Sequence, residues 1–171
     1  MPSKTRNLIN ADIATTLAVS ASQADPQQVY KLVEAISGET CGWVLLTTLK
    51  YVEADDVIER VHSSDPASHP IGGRKPLDKV TASHGSSSGD DVFLAATKAD
   101  VQRDFFDYEL LFELGIGSIL NAPIRHAGRR LGSLNFCGAD GMYGPESIET
   151  ARILAGLLVP NLLIEMADTT A

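Results

Sequence analysis

Apolar and polar positions alternate with two periods along this chain, and the changes between them divide it into elements. Over residues 8–19, Leu8, Ala11, Ile13, Ala14, Leu17 and Ala18 recur at helical spacing and predict an amphipathic helix. A run of small residues interrupts the pattern at 20–24. Asp25-Pro26 then opens a second helix, because aspartate can accept from the open first-turn amides and proline has no amide to leave unbonded there. Val29, Leu32, Val33 and Ile36 form its apolar stripe, and Gly38 is its expected stop. Residues 41–52 and 57–62 read as two strands joined through Ala54-Asp55-Asp56, a hairpin.

The pattern lapses over residues 63–91, where Pro66, Pro70, Gly72, Gly73 and Pro76 precede a Ser/Gly-rich run. This is a long loop with a short helix expected at 77–82, and a loop of such length in a compact domain is functional or mobile. Residues 92–96 are a short apolar strand. Asp107 is placed to cap a helix running through Leu114, with Leu110, Leu111 and Leu114 inward. Gly115 is its terminator and Ile116 the closing apolar contact. Residues 117–125 and 130–137 form the clearest hairpin. Pro145 starts the last helix, with Ile148, Ala151, Leu154, Leu157 and Leu158 inward, and Pro160 should kink or end it. Adjacent hairpins without strand–helix–strand crossovers argue for an antiparallel sheet with helices packed on it, an α+β domain.

The central hairpin can be sorted by face, since successive side chains alternate. Leu120, Ala122 and Ile124 match Gly132, Leu134 and Phe136 on a dry face. That match pairs positions whose numbers sum to an even value, which a turn of odd length delivers. The opposite face then carries Ile119, Asn121, Pro123 and Arg125 beside Leu131, Ser133, Asn135 and Cys137, with Asn121 and Asn135 as cross-strand neighbours. Two readings of this half-polar face stand. It faces water with its amides satisfied locally, or it floors a pocket in which amides recognise a small polar ligand.

Charge and composition narrow the function classes. A net charge of −8 over 171 residues, with no basic stripe, disfavours nucleic acid as a partner. The first residues lack a signal-peptide core, and the apolar stretch 153–164 is broken by Gly156, Pro160 and Asn161, so no membrane span and a cytoplasmic location are expected. Cys41 and Cys137 make no CxxC pair and read as buried thiols. Ser83, His84, Ser86, Asp90 and Asp91 suggest nucleophilic catalysis, but a Ser/Gly-rich loop holds a base poorly and no GxSxG elbow is present. His62, His69 and His84 match no compact metal-ligand spacing, and no phosphate loop is present. Arg74 and Lys75 beside Gly72 and Gly73 are a solvated turn or an anion contact. Phe105 and Phe106 are expected in the core or a pocket wall.

One segment resembles a known family. It comprises Phe105-Phe106-Asp107, Leu114-Gly115-Ile116-Gly117-Ser118-Ile119-Leu120, Ala122-Pro123-Ile124, Gly128 and Leu131-Gly132-Ser133-Leu134. This looks like the core motif of GAF domains, and the flanking elements extend the resemblance over roughly residues 25–165. Gly73-Arg74-Lys75-Pro76, Leu120-Asn121 and Leu134-Asn135 look like small stand-alone bacterial members. The resemblance implies a six-stranded antiparallel sheet, terminal helices on one face and a covered pocket on the other. It implies a small-molecule-binding sensory module, not an enzyme, that signals through a partner and forms a homodimer through its terminal helices. The alternative is an interaction protein with a vestigial pocket. Arg74, Asn121, Ser133 and Asn135 are the ligand contacts carried by this reading; no metal site is expected and no cofactor is specified. The bilin-binding cysteine pattern and the loop cysteines of free-methionine-sulfoxide-reducing members are absent. Residues 1–24 are expected to be an amphipathic helix with linker, and 25–168 the GAF domain.

Overall fold

The computed structural model describes residues 2–22, 25–77 and 92–168. Helix α1 (Asn10–Ser22) and helix α2 (Pro26–Thr40) are followed by strands β1 (Leu45–Val52) and β2 (Val57–Ser63), linked by a 3-10 turn at Glu53–Asp55. Short strands β3 (Arg74–Pro76) and β4 (Phe93–Ala95) precede helices α3 (Lys98–Asp104) and α4 (Tyr108–Glu113). Strands β5 (Ser118–His126) and β6 (Arg129–Gly138) and helices α5 (Pro145–Leu157) and α6 (Val159–Asp168) complete the chain. The described strands form one antiparallel sheet of six in the order β3-β2-β1-β6-β5-β4.

The central hairpin pairs as its apolar pattern requires, with Leu120 opposite Phe136 and Asn121 opposite Asn135. The parity comes from a different device than an odd loop. His126 pairs with Arg129, so the turn has two residues, Ala127 and Gly128, both at positive φ (48° and 77°). A register shift between Ile124 and Arg125 then supplies the extra residue. The shift also moves Leu131, expected beside Ser133 and Asn135, into the helix-side core, where it is 1% exposed.

That core lies between one sheet face and α2, α5 and α6. Tyr30, Leu46, Leu134, Phe136, Leu154 and Leu158 are fully buried in it, each aliphatic side chain contributing roughly 1.5–3 kcal/mol. The last helix breaks at Leu158, and Pro160 falls in the first turn of α6, where its missing amide costs nothing. Gly38 does not stop α2. A Cβ there would lie 3.1 Å from Pro2 Cβ, so this glycine admits the N-terminal segment. The helix ends at Cys41, with Gly42 at φ +72° and its amide on Ser37 O at 3.0 Å.

The N-terminal segment is held by Thr5 N on Glu39 O and by a Ser3–Gly42 bridge, and Leu8, Ile13 and Val19 pack on the main core. The inward face of α1 is rotated from the expected stripe. Thr16 is fully buried, its hydroxyl donating to Asp12 O, while Leu17 is half exposed and Ala11, Ala14 and Ala18 face outward.

Two elements lie where none is expected, α3 after the strand at 92–96 and β3 within the loop at 63–91. Helix α3 starts on a capping box, with Asp100 N donating to Thr97 Oγ1 and Thr97 N to Asp100 Oδ2. Strand β3 is a three-residue edge that tolerates Pro76. The helix expected at 77–82 lies outside the described residues beyond Leu77, as does the Ser83-His84 constellation.

At Gly132 the sheet is tightest: a Cβ would sit 1.9 Å from Leu49 O and 3.0 Å from Leu162 Cδ1. Gly132→Ala should therefore destabilise by at least the ~1–3 kcal/mol of overpacking, read from urea unfolding midpoints at unchanged m-value.

Candidate functional site

The face of the sheet turned away from α2 and α5 carries the odd-numbered residues of β1, β5 and much of β6. Helices α3 and α4 pack over its β5–β4 end through a second core of Ala95, Val101, Ile116 and Ile119, joined by Phe105 and Leu111. Between these helices and the open strands lies a hollow of about 580 Å³. Its floor is Leu45, Thr47 and Leu49 of β1 with Asn121 and Asn135; Ile58 and Arg60 of β2 and Lys75 of β3 form one side. The segment from Gln102 to Leu114 forms the other. A larger hollow of about 750 Å³ lies under α6, beside Lys50, Arg129, Leu163 and Met166.

Buried polar atoms distinguish the first hollow. Asn135 is 5% exposed; its Nδ2 donates to Thr47 Oγ1 at 3.4 Å, and its Oδ1 has no partner among the described residues. Arg60 Nε and His69 Nδ1 are buried in the same condition. Burying a polar atom without a partner costs roughly 1–3 kcal/mol, so three residues carrying such atoms on one lining mark this hollow as the candidate site.

Strand alternation decides which charges reach the hollow. Arg60 and Lys75 point into it, while Glu59 and Arg74 are one residue out of phase. Arg74 bonds Glu59 Oε2 at 2.6 Å and Asp55 Oδ2 at 3.1 Å and does not line the hollow. Arg60 lies beneath the 70–73 turn, its Nη1 on Pro70 O at 3.0 Å, and a Cβ on Gly73 would meet that Nη1 at 2.8 Å. Burial lowers the Arg60 pKa. Desolvation, then the positive charge of Arg60, holds His69 below its ordinary value; Asp65 pulls the other way, and Lys75 adds the smallest downward push. The Cys137 thiol, at the hollow's floor, is pushed up to about 12 by desolvation.

Of the expected contacts, Asn121 and Asn135 meet across β5–β6 and line the hollow. Ser133 shares their face, opposite Pro123 and Leu49, but is not part of the lining. Phe105 packs edge-on against Phe93 as a wall, whereas Phe106 is 89% exposed at the rim, outside any core. Leu110 and Leu114, expected inward, are exposed beside the hollow, and Asp107 precedes α4 without a capping bond. The sequence does not single out Arg60, offers Lys75 only beside Arg74 as one reading of a turn, and offers His69 only among histidines without a metal-ligand spacing, because their convergence depends on the β2–β3 pairing of a three-residue strand. The histidines part company. His62 is on the helix side, 2.7 Å from Glu34 and stacked on Tyr30, and His84 lies outside the described residues. No group of His, Cys, Asp and Glu able to hold a metal is present among the described residues.

No protein-family model matches the chain, and no curated protein matches its sequence. Solved structures do match its fold. The GAF domain of a phosphoenolpyruvate-protein phosphotransferase from Coxiella burnetii superposes with a TM-score of 0.72 at 15% identity, over 94% of this chain and 96% of that one. Free methionine-R-sulfoxide reductase from Neisseria meningitidis, in complex with its substrate, gives 0.69 at 15% identity over the whole of both chains. The chromophore-binding domain of a bacteriophytochrome from R. palustris gives 0.67 at 8% identity, and the chain spans 62% of its length. The chain thus has the GAF-domain fold: a six-stranded antiparallel sheet with helices, in the α+β class. Among the described residues no single helix is long and apolar enough to cross a membrane.

The depressed pKa of His69 fixes a sign. A histidine held below its unfolded value near 6.5 stabilises the fold fully above that value, and the contribution is lost as pH falls through the folded value. Between about pH 7 and pH 5 the wild type should lose more thermal stability than His69→Gln, checked by parallel melting curves.

Proposed function

We propose that the chain is a cytoplasmic sensory module that binds a small molecule in the 580 Å³ hollow and passes the signal to a partner protein. The observation that carries this reading is the convergence on one cavity of Asn135, Arg60 and His69, each with a buried polar side-chain atom that lacks a partner among the described residues. Structures of the same fold that are named for chromophore binding, chemotaxis and a two-component sensor kinase favour a sensor. The reductase neighbour carries enzyme chemistry on the fold, so the fold alone does not choose. Here the one thiol lining the hollow among the described residues, Cys137, is held protonated, and thiol chemistry needs the thiolate. That favours binding over catalysis. Asn121 and Asn135 are the proposed amide contacts, with Ser133 further along the same face. Arg74 serves as a strut for β3 through Glu59.

Native mass spectrometry of freshly purified protein should show a small extra mass that is lost on denaturation. The pair Asn121→Ala with Asn135→Ala should remove it while the melting temperature stays within a few degrees. An extra mass retained by the double variant would place the ligand elsewhere.

A second reading has its own observation. Ile9 and Leu17 around α1 and Leu163 and Ile164 on α6 are 37–54% exposed. Such faces suit a homodimer through the terminal helices, in which the domain, residues 25–168, is joined by the 1–24 segment. Leu17→Glu with Ile164→Glu should convert a dimer to a monomer in sedimentation velocity; a dimer that survives both changes rejects this interface.

A further inference from the structure

Lys75 and Arg60 bring two positive charges, and His69 a basic nitrogen, to one side of a cavity in a chain whose net charge is −8. Strand phase produces this concentration. Along β2 and β3, Ile58 pairs with Lys75 and Glu59 with Arg74, so Glu59 and Asp55 neutralise the two cations Lys50 and Arg74 away from the hollow. Nothing comparable reaches Arg60: its guanidinium has a carbonyl, Pro70 O, and burial shifts its proton affinity downward with no acid partner among the described residues to oppose this. Across the hollow, Asp104 is taken by Arg103 at 2.7 Å, and Asp107 stands at the start of α4. Asp65, which pulls on His69, accepts from Ser68 N and makes no ion pair with Arg60 or Lys75, so the strand side is cationic, an arrangement whose desolvation and mutual repulsion an anion would relieve.

We infer that the hollow binds a small organic oxyanion, its carboxylate, sulfonate or phosphate oxygens held among Arg60, His69 and Lys75 at the strand side. The inference rests on the ligand-binding reading of the hollow. The guanidinium and ammonium donate to the oxygens, and His69 adds an N–H on whichever nitrogen carries its proton. Asn135 Oδ1, the buried acceptor deeper in the floor, takes a donor from the body of the ligand. Leu49, Ile58, Phe105 and Leu111 offer the apolar surface for that body. A bare inorganic ion leaves the Asn135 acceptor and this surface unused, so the ligand combines an acidic end, a hydrogen-bond donor and an apolar part.

Two fluorescent probes that share an arylamine skeleton separate the claims. N-phenyl-1-naphthylamine is neutral; 8-anilinonaphthalene-1-sulfonate adds one sulfonate. The folded wild type should bind both, the sulfonate at least fivefold tighter. Arg60→Gln and Lys75→Met should each weaken the sulfonate probe at least fivefold and leave the neutral probe within twofold. Arg60→Lys should restore part of the loss, and Arg129→Gln, at the other hollow, should change nothing. Lys75 is exposed on an edge strand, so its variant folds even where Arg60→Gln does not. Equal binding of the two probes, or sulfonate binding indifferent to Lys75 and Arg60, overturns the oxyanion inference and leaves the pocket standing. Failure of the neutral probe to bind at all overturns the pocket reading itself, as does sulfonate binding that Arg129→Gln abolishes.

Discussion

One extra residue in the central hairpin sets the face of nearly everything else. The two-residue turn at Ala127-Gly128 pairs positions whose numbers sum to an odd value, and the irregularity beside Ile124 converts this to an even sum. Only then do Leu120, Leu134 and Phe136 share the helix-side core while Asn121 and Asn135 share the other face. Without the shift, one strand of the pair would present its asparagine to α2 and α5 and its apolar side chains to the hollow. A buried amide facing an apolar core would cost roughly 1–3 kcal/mol, besides the apolar burial lost, which is why this register is strongly specified. Gly132 adjoins the shift and lets β1 and α6 close upon it.

The same alternation governs charge. Neighbouring residues on β2 and β3 are sent to opposite faces, so Glu59 and Arg74 form a neutral cluster with Lys50 and Asp55 while Arg60 and Lys75 stand over the hollow. Four charged residues that look like a mixed surface patch in the sequence become a balanced lattice on one side and an unbalanced one on the other. Cys137 feels this site through desolvation, which silences its thiol and makes the hollow a better place for recognition than for sulfur chemistry.

Proteins as different as a reductase and a phytochrome domain share this sheet at 8–15% identity. At that distance the common element is the scaffold: paired hairpins, helices on one face and a roofed concavity on the other. Chemistry is decided by what lines the concavity, and here that is amides, bases on the strand side, Asp104 and Asp107 on the helix side, and apolar side chains with one neutral thiol.

Local physics was strong enough to make much of this legible in the chain itself. The alternating apolar sets of the central hairpin, the Asp25-Pro26 helix start and the Gly115-Ile116 helix end each depend on a few adjacent residues and stand as read. The Asn121–Asn135 pairing follows from the same local pattern. Helix α3 carried a signal too, Thr97 with Asp100, that outweighs its weak apolar periodicity. The rest needed contacts between distant segments. Gly38 looked like a helix stop and is instead the seat of Pro2; Leu17 belonged to the apolar stripe yet faces out because Thr16 fits the packed side. Arg74 was the expected ligand contact, yet Lys75 and Arg60 line the hollow and Arg74 does not, because the pairing phase of a three-residue edge strand sends one inward and the other away. The residues alone thus determined the elements and the amide floor, through interactions spanning a few positions. The tertiary structure decided which charges face the cavity, because strand phase is set by partners far away in the chain.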